Sequence, residues 1–190
     1  LHGRMSVRTN IHVANKQRLR QKLQKFTPTN FHVISDFDKT LTKAFVDGRK
    51  IQSTYGLIRD GKYLTPQYYE RAHALFDEYH PYEIAQDISP EERDTKMEEW
   101  WSKHLSLMIE CGMNKEVFRD IIHSRRLQLR EGYFEFFHLL SSRNIPLLIF
   151  SAGVGDIITE FLQAEKLLTP NVHVISNFYD FDEHGHVVGL

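Results

Sequence analysis

The feature that most constrains this chain is an apolar run, Phe31-His-Val-Ile-Ser35, that ends abruptly in Asp36-Phe-Asp38-Lys-Thr40. A short run with β-branched residues and no helical periodicity reads as a buried strand, and the polar residues after it as the loop at its carboxyl end. The same texture recurs twice. Ile145-Pro-Leu-Leu-Ile-Phe150 enters Ser151-Ala-Gly-Val-Gly-Asp156, and Val172-His-Val-Ile-Ser176 ends at Asn177. Between these two runs, Ile157, Ile158, Phe161 and Leu162 are spaced as one face of a crossover helix. The order strand, helix, strand calls for a parallel sheet. Ligands of such sheets bind at the carboxyl ends of the strands, where all three polar loops would gather.

The stretch from Gly48 to Arg126 is different. Thr65 followed by Pro66 is an N-cap and first-turn signal, and Tyr68, Ala72, Leu75, Phe76 and Tyr79 then recur at helical spacing. Ser89-Pro-Glu-Glu92 reads as a capping box, after which Met97, Trp101, His104, Leu105 and Met108 form one stripe before Gly112. Asn114 can cap a third helix carrying Val117, Phe118, Ile121 and Ile122. The expected organisation is an α/β core from residues 1–47 and 127–190, with a helical insert at 48–126 placed as a lid over the strand ends.

With 41% hydrophobic and 12% aromatic residues among 190, the chain can bury a core and carry an insertion. The 24 basic and 25 acidic residues leave a net charge of -1, so no global field recommends a nucleic-acid polymer or a membrane as partner. No apolar stretch approaches the ~20 residues a membrane span requires. The single cysteine, Cys111, excludes an internal disulfide and fits a reducing compartment, so a cytoplasmic location is expected. None of the 11 histidines falls in a zinc-ligand spacing, and they are read as non-ligands. Residues 1 to 35 hold no acid but contain Arg4, Arg8, Lys16, Arg18, Arg20, Lys22 and Lys25. Organelle transit peptides share that bias, but a basic, exposed first helix is the stronger reading. Leu1-His-Gly-Arg4 ahead of Met5 reads as an added segment or an internal start.

Two acids separated by one residue present both carboxylates to one point while the intervening backbone approaches it too. A phosphoryl group passing from an alcohol to water needs that arrangement: an in-line nucleophile, a cation and a proton donor. Asp36 would attack phosphorus and form an aspartyl-phosphate. Asp38 would protonate the leaving oxygen and then deprotonate the water that hydrolyses the intermediate. A bare Asp-x-Asp is more often a surface turn, but the preceding strand and the following Thr40 favour catalysis. Ser151-Ala152-Gly153 offers a hydroxyl and then small residues whose amides can approach a phosphate.

Asp36-x-Asp38-x-Thr40 after a strand resembles the signature of the haloacid dehalogenase superfamily, which implies a Rossmannoid α/β core with a parallel sheet and an inserted cap. Further blocks carry the likeness over nearly everything after Phe31. Asp36-Phe-Asp38 with Thr40-Leu41, Glu131-Gly132-Tyr133, Ile149-Phe-Ser-Ala-Gly153 with Gly155-Asp156, and Val174-Ile-Ser-Asn-Phe178 with Asp180-Phe-Asp182 are similar to the pyrimidine 5′-nucleotidase family, of the cytosolic type III kind. That resemblance implies a Mg2+-dependent phosphohydrolase acting on nucleoside 5′-monophosphates. It also implies magnesium held by the Asp36 carboxylate and the Asp38 main-chain carbonyl, and phosphate held by Thr40, Ser151, Ala152 and Gly153. Glu83 takes the position of the acid that contacts base or sugar, and Tyr55 and Trp101 fall where aromatic rings can stack on a base. Trp101 also lies on a helical stripe and is about as readable as insert core. The Tyr and Trp pair is similar to the branch that also accepts 7-methylguanosine monophosphate.

The chain departs from the family in two places. Ile51 to Tyr55 stand where the family carries a cysteine pair, and the superfamily's Lys and its later Gly-Asp-x-x-x-Asp acid are not found before Leu190. Asp180, Asp182 and Glu183 are not read as substitutes, because Glu183-His-Gly185 is a hairpin signal. The expectation from these gaps is a chain cut short within its core and impaired as a phosphatase. Two other readings stay open: a non-catalytic remnant that binds a nucleotide or protein, and a phosphatase for another small phosphomonoester such as phosphoserine or a sugar phosphate. Oligomeric state is not legible.

Overall fold

The computed structural model describes residues 14 to 25 and 31 to 190, which divide into a unit ending at Phe31 and one from His32 to Leu190. The first unit holds helix α1, Lys16–Leu23, whose N-cap Asn15 accepts a hydrogen bond from the Arg18 amide at 2.8 Å. It buries no residue, as its polar composition requires. Leu1 to Arg4 and Arg8 lie outside the described residues.

The second unit is built on a three-stranded parallel sheet of order β1-β4-β5, formed by Val33–Ser35, Leu147–Val154 and Val172–Asn177. Val33 pairs with Leu147, and Leu147 in turn with Val172, which brings the three strand ends side by side. Before the central strand come the hairpin β2 and β3 (Phe45–Val46, Arg49–Lys50) and five helices: α2 (Thr54–Asp60), α3 (Pro66–Ile84), α4 (Pro90–Glu110), α5 (Lys115–His123) and α6 (Tyr133–Ser142). Helix α7, Gly155–Ala164, is the crossover between β4 and β5, and buries Ile157, Ile158, Phe161 and Leu162. The chain ends in a second hairpin, β6 and β7 (Asp180–Phe181, Val187–Gly189). The α/β architecture expected from the three apolar runs is present.

The caps read from the sequence are formed. Thr65 Oγ1 accepts from the Tyr68 amide and Ser89 Oγ from the Glu92 amide, while Asn114 Oδ1 accepts from the amides of Glu116 and Val117. Helices α3 and α4 pack antiparallel in sequence order and are joined across their outer faces by a two-pronged ion pair between Arg71 and Glu110, at 2.6 and 2.8 Å. Helix α3 runs through Pro81 to Ile84, so Glu83 sits in its last turn. At the C-terminal hairpin, Asp182 Oδ1 accepts from the amides of His184 and His186, the turn that Glu183-His-Gly185 signals.

Two expectations need correction. The apolar runs predict buried strands, yet Ile34, Phe150 and Ile175 are 61%, 60% and 50% exposed, while Leu147 and Ile149 are fully buried. The alternation shows one face packed under α7 and its neighbours and the other face open among the described residues; an all-apolar run cannot reveal that asymmetry. The polar segment from Ser151 to Val154, expected as a loop, continues β4 with a register shift between Phe150 and Val154. Hydrogen bonds from the end of β5 hold it extended: Ser176 Oγ donates to the Gly153 carbonyl and Asn177 Nδ2 to the Ala152 carbonyl, both at 2.8 Å.

Phe37 lies between the two acids and is 0% exposed, its ring edge-on to Phe161 with centroids 6.1 Å apart. Truncating it removes the anchor of the loop from the core. Phe37→Ala is expected to cost ~3–5 kcal/mol, read as a shift in the denaturant midpoint at unchanged slope.

Candidate functional site

At the end of β1, the carbonyl of Phe37 accepts from the amides of Thr40, Leu41 and Thr42 at 3.0 to 3.3 Å, closing a tight turn. The turn puts Lys39 at φ 62°, a left-handed conformation unusual for a side chain of that size. It is held from outside by Arg130, whose Nε donates to the Thr40 carbonyl at 2.8 Å and Nη2 to that of Lys39 at 2.7 Å. Buried Thr42 receives the Lys39 amide on its hydroxyl at 2.7 Å. With Phe37 turned inward, Asp36 and Asp38 both face a cleft of about 720 Å³. That is the size of small-molecule sites.

The cleft is lined by Asp36, Asp38, Lys39, Ser151, Ala152 and Gly153 at one end, and by Tyr55, Arg59, Phe76, Glu83, Trp100, Trp101 and His104 at the other. Every candidate residue from the sequence except Thr40 is therefore on one concave surface. Thr40 instead donates its hydroxyl to Asp36 Oδ2 at 3.1 Å, orienting that carboxylate from the side.

The two acids differ in environment. Asp36 is exposed, whereas Asp38 is largely buried, and burial pushes its carboxyl above the usual range while hydrogen bonds from Thr54 pull the other way. The Thr54 amide lies 3.1 Å from both Asp38 oxygens, and the Thr54 hydroxyl donates to Oδ2 at 3.0 Å. Thr54 opens α2, a helix not anticipated from the sequence because its seven residues are too few to show a period. The segment packs so tightly that a Cβ on Gly153 would lie 2.5 Å from Thr54 Oγ1 and 2.9 Å from Asp38 Oδ2; only glycine fits. Ser151 is buried, and its hydroxyl accepts the Gly153 amide at 3.1 Å.

At the other end, Tyr55 and Trp101 touch each other, with centroids 4.7 Å apart and planes 50° apart, and Trp100 stacks behind Trp101 at 5.7 Å. The three rings form one contiguous aromatic cluster in the cleft wall. Beneath it, His104 is paired with the Tyr68 hydroxyl at 3.0 Å. Burial pushes its imidazole from 6.5 down to about 4, so it is neutral near pH 7. Helix spacing marked His104 as a stripe residue but could not show that polar pairing.

Asp36 offers hard oxygen ligands at the strand end, and the adjoining main-chain carbonyls are oxygens too, a donor set suited to an oxygen-seeking divalent cation. No group of three or more His, Cys, Asp or Glu side chains close enough to hold a metal exists among the described residues. No described helix is long and apolar enough to cross a membrane.

His104 should make stability pH-dependent. Its folded pKa lies below the unfolded value of 6.5, so the unfolded chain takes up the proton first and stability falls as pH drops from about 6.5 to about 4. The loss should approach ~3 kcal/mol, and His104→Gln should flatten the curve of melting temperature against pH over that window. An equal slope in both proteins would show that His104 does not titrate as its burial requires.

Comparison with known proteins agrees with this geometry. The family model described as pyrimidine 5′-nucleotidase (UMPH-1) matches residues 39–190, beginning immediately after Asp38. The chain is 36% identical over 168 residues to the human protein named 7-methylguanosine phosphate-specific 5′-nucleotidase, covering 88% of this chain and 56% of that one. It thus spans little more than half the length of that relative. Among solved structures it resembles cytosolic 5′-nucleotidase IIIB bound to cytidine, with a TM-score of 0.79 at 28% identity over 94% of this chain and 61% of the other. A haloacid dehalogenase family hydrolase from Salmonella enterica serovar Typhi shares the fold at a TM-score of 0.52 and 11% identity, over 90% and 52% of the two chains. The fold is thus haloacid dehalogenase-like, and on the extent of these matches the chain belongs to the pyrimidine 5′-nucleotidase family.

Proposed function

We propose that this protein is a phosphohydrolase of nucleoside 5′-monophosphates that works through an aspartyl-phosphate on Asp36. The observation that carries the proposal is the joining, in one cleft, of a paired-acid loop, the serine-glycine end of β4 and a cluster of aromatic rings. Asp36 attacks the phosphorus, forming an O–P bond as the ester P–O bond breaks, and Asp38 gives its proton to the departing ribose 5′-oxygen. Water then attacks the phosphorus; its proton goes to the Asp38 carboxylate, the Asp36–P bond breaks and phosphate leaves. The partly buried Asp38, with its carboxyl raised by desolvation, is suited to hold the proton that the leaving oxygen needs. The Ser151 hydroxyl, its own proton left free because it accepts the Gly153 amide, and the Ala152 amide receive the phosphate oxygens, and Gly153 keeps the space beside Asp38 clear of a side chain. A Mg2+ ion, with Asp36 and the Asp38 carbonyl as its ligands from this chain, would neutralise charge on the phosphoryl group. Within the unit from His32 to Leu190, residues 32–47 and 127–190 act as the core and 48–126 as the substrate-selecting cap. The cytosolic name of the solved relative supports a cytoplasmic site of action.

The base packs against the cleft-lining rings of Tyr55 and Trp101, and Glu83 contacts base or sugar. A 7-methylguanine base is favoured here, because it carries a positive charge that the faces of Trp and Tyr attract and that neutral His104 does not oppose. The name of the human relative points the same way.

Asp36→Asn in the native protein should lower turnover at least ~10³-fold with little change in melting temperature. Activity within tenfold of wild type would mean the nucleophile lies elsewhere. Trp101→Ala should raise KM for nucleoside monophosphates about tenfold or more, the worth of one stacked base, and leave kcat/KM for p-nitrophenyl phosphate within about twofold. Equal losses on both substrates would make Trp101 a packing residue.

A further inference from the structure

Thr54 is fully buried, lies outside both sequence motifs, and joins three elements at one atom. Its hydroxyl donates to Asp38 Oδ2 at 3.0 Å and stands 3.0 Å from the amide nitrogen of Val154, at the end of β4. An amide can only donate, so the hydroxyl accepts there. Its single proton is thereby committed to Asp38. The Thr54 amide adds a contact of 3.1 Å to each carboxylate oxygen. Oδ2 thus takes the hydroxyl and half of a shared amide, and Oδ1 takes only the other half, which leaves Oδ1 the oxygen with spare capacity.

We propose that Thr54 is a positioning residue for proton transfer: it fixes the rotation of the Asp38 carboxylate so that Oδ1 exchanges the proton with the leaving oxygen and then with water. The inference rests on the reading of Asp38 as acid and base. It goes beyond that reading by assigning to the first residue of α2 control of an acid 16 positions earlier. Free to turn about its last torsion, a carboxylate spends much of its time with neither oxygen aligned, and misalignment of ~1 Å in such a group costs on the order of 10² in rate. The neighbouring Tyr55 belongs to the aromatic cluster, so consecutive residues of one short helix serve the two ends of the cleft.

The test compares two leaving groups in the native protein. A ribose 5′-oxygen needs a proton to depart, whereas p-nitrophenolate leaves as a stable anion. kcat/KM reports the steps up to that departure, so Thr54→Val should lower it ~10- to 100-fold for a nucleoside 5′-monophosphate and less than about threefold for p-nitrophenyl phosphate. KM for the nucleotide should stay within about twofold, and Thr54→Ser, which keeps the hydroxyl, should restore most of the loss. Equal losses on both substrates would reduce Thr54 to a packing role and overturn the inference, as would no loss on either. Should the valine variant fail to fold by circular dichroism, Thr54→Cys, of similar size and with a weak S–H donor, is expected to show an intermediate loss confined to the nucleotide; an unselective loss there also overturns it. Asp38→Asn separates the two levels. A nucleotide-selective loss in Asp38→Asn without one in Thr54→Val sinks only the positioning role, whereas full activity in Asp38→Asn sinks the acid-base reading and this inference with it.

Discussion

Burial of one ring, that of Phe37, orders the rest of the site. Its side chain is fully inside against Phe161 of α7, so the two residues flanking it are turned outward together. Its carbonyl gathers the next turn of amides, and the loop has no freedom to swing either acid away. Arg130 then closes the turn from the far side through two carbonyls, adding a charged donor where backbone alone would leave acceptors half used. The acids are thus held by apolar packing and by backbone hydrogen bonds, and their carboxylates remain available for chemistry.

Polar contacts from α2 also reach this loop and the end of β4. Thr54 reaches Asp38 and Val154, and the Tyr55 phenol is hydrogen-bonded to Tyr179, whose own hydroxyl meets Met108 of α4 at 3.6 Å. Burial raises the Tyr55 and Tyr179 phenols above their ordinary value, so both stay protonated. In a low-dielectric setting such bonds are directional and costly to leave unmade. They fix the height of the aromatic cluster above the acids, a distance that apolar contacts alone would leave adjustable.

Much of this was legible in the sequence because the informative residues are local. The Asp36-x-Asp38-x-Thr40 loop, the strand before it, the crossover helix and the Asn114 cap each follow from residues within one element. The hairpin at Asp47-Gly48, φ 49° and 75°, carries the Asp-Gly signal of a two-residue turn in the same local way. What stayed hidden depends on distance in sequence. Nothing near Thr54 announces a partner at Asp38, and nothing near Arg130 announces carbonyls at Lys39 and Thr40, because a hydroxyl or a guanidinium reveals its acceptor only after folding. The open sheet face stayed hidden for a related reason. Ile34, Phe150 and Ile175 are as apolar as their buried neighbours, and periodicity cannot report a layer that is absent on one side among the described residues.

In the proposed reaction the two ends of the cleft draw on different physics, and that division bears on how binding energy would be used. The aromatic end offers contact area that is the same whether the phosphorus is tetrahedral or in transit, so its contribution is uniform and sets KM. The acid end offers a buried carboxylate, oriented amides and small residues, and these meet charge that changes during reaction. Keeping the two apart, on one helix start but on successive residues, lets a base be exchanged by altering Tyr55, Trp101 or Glu83 without disturbing the proton path. It also means that errors of placement at Thr54 are not compensated by tighter stacking, because stacking energy gained equally in ground and transition states cannot restore a misaligned acid.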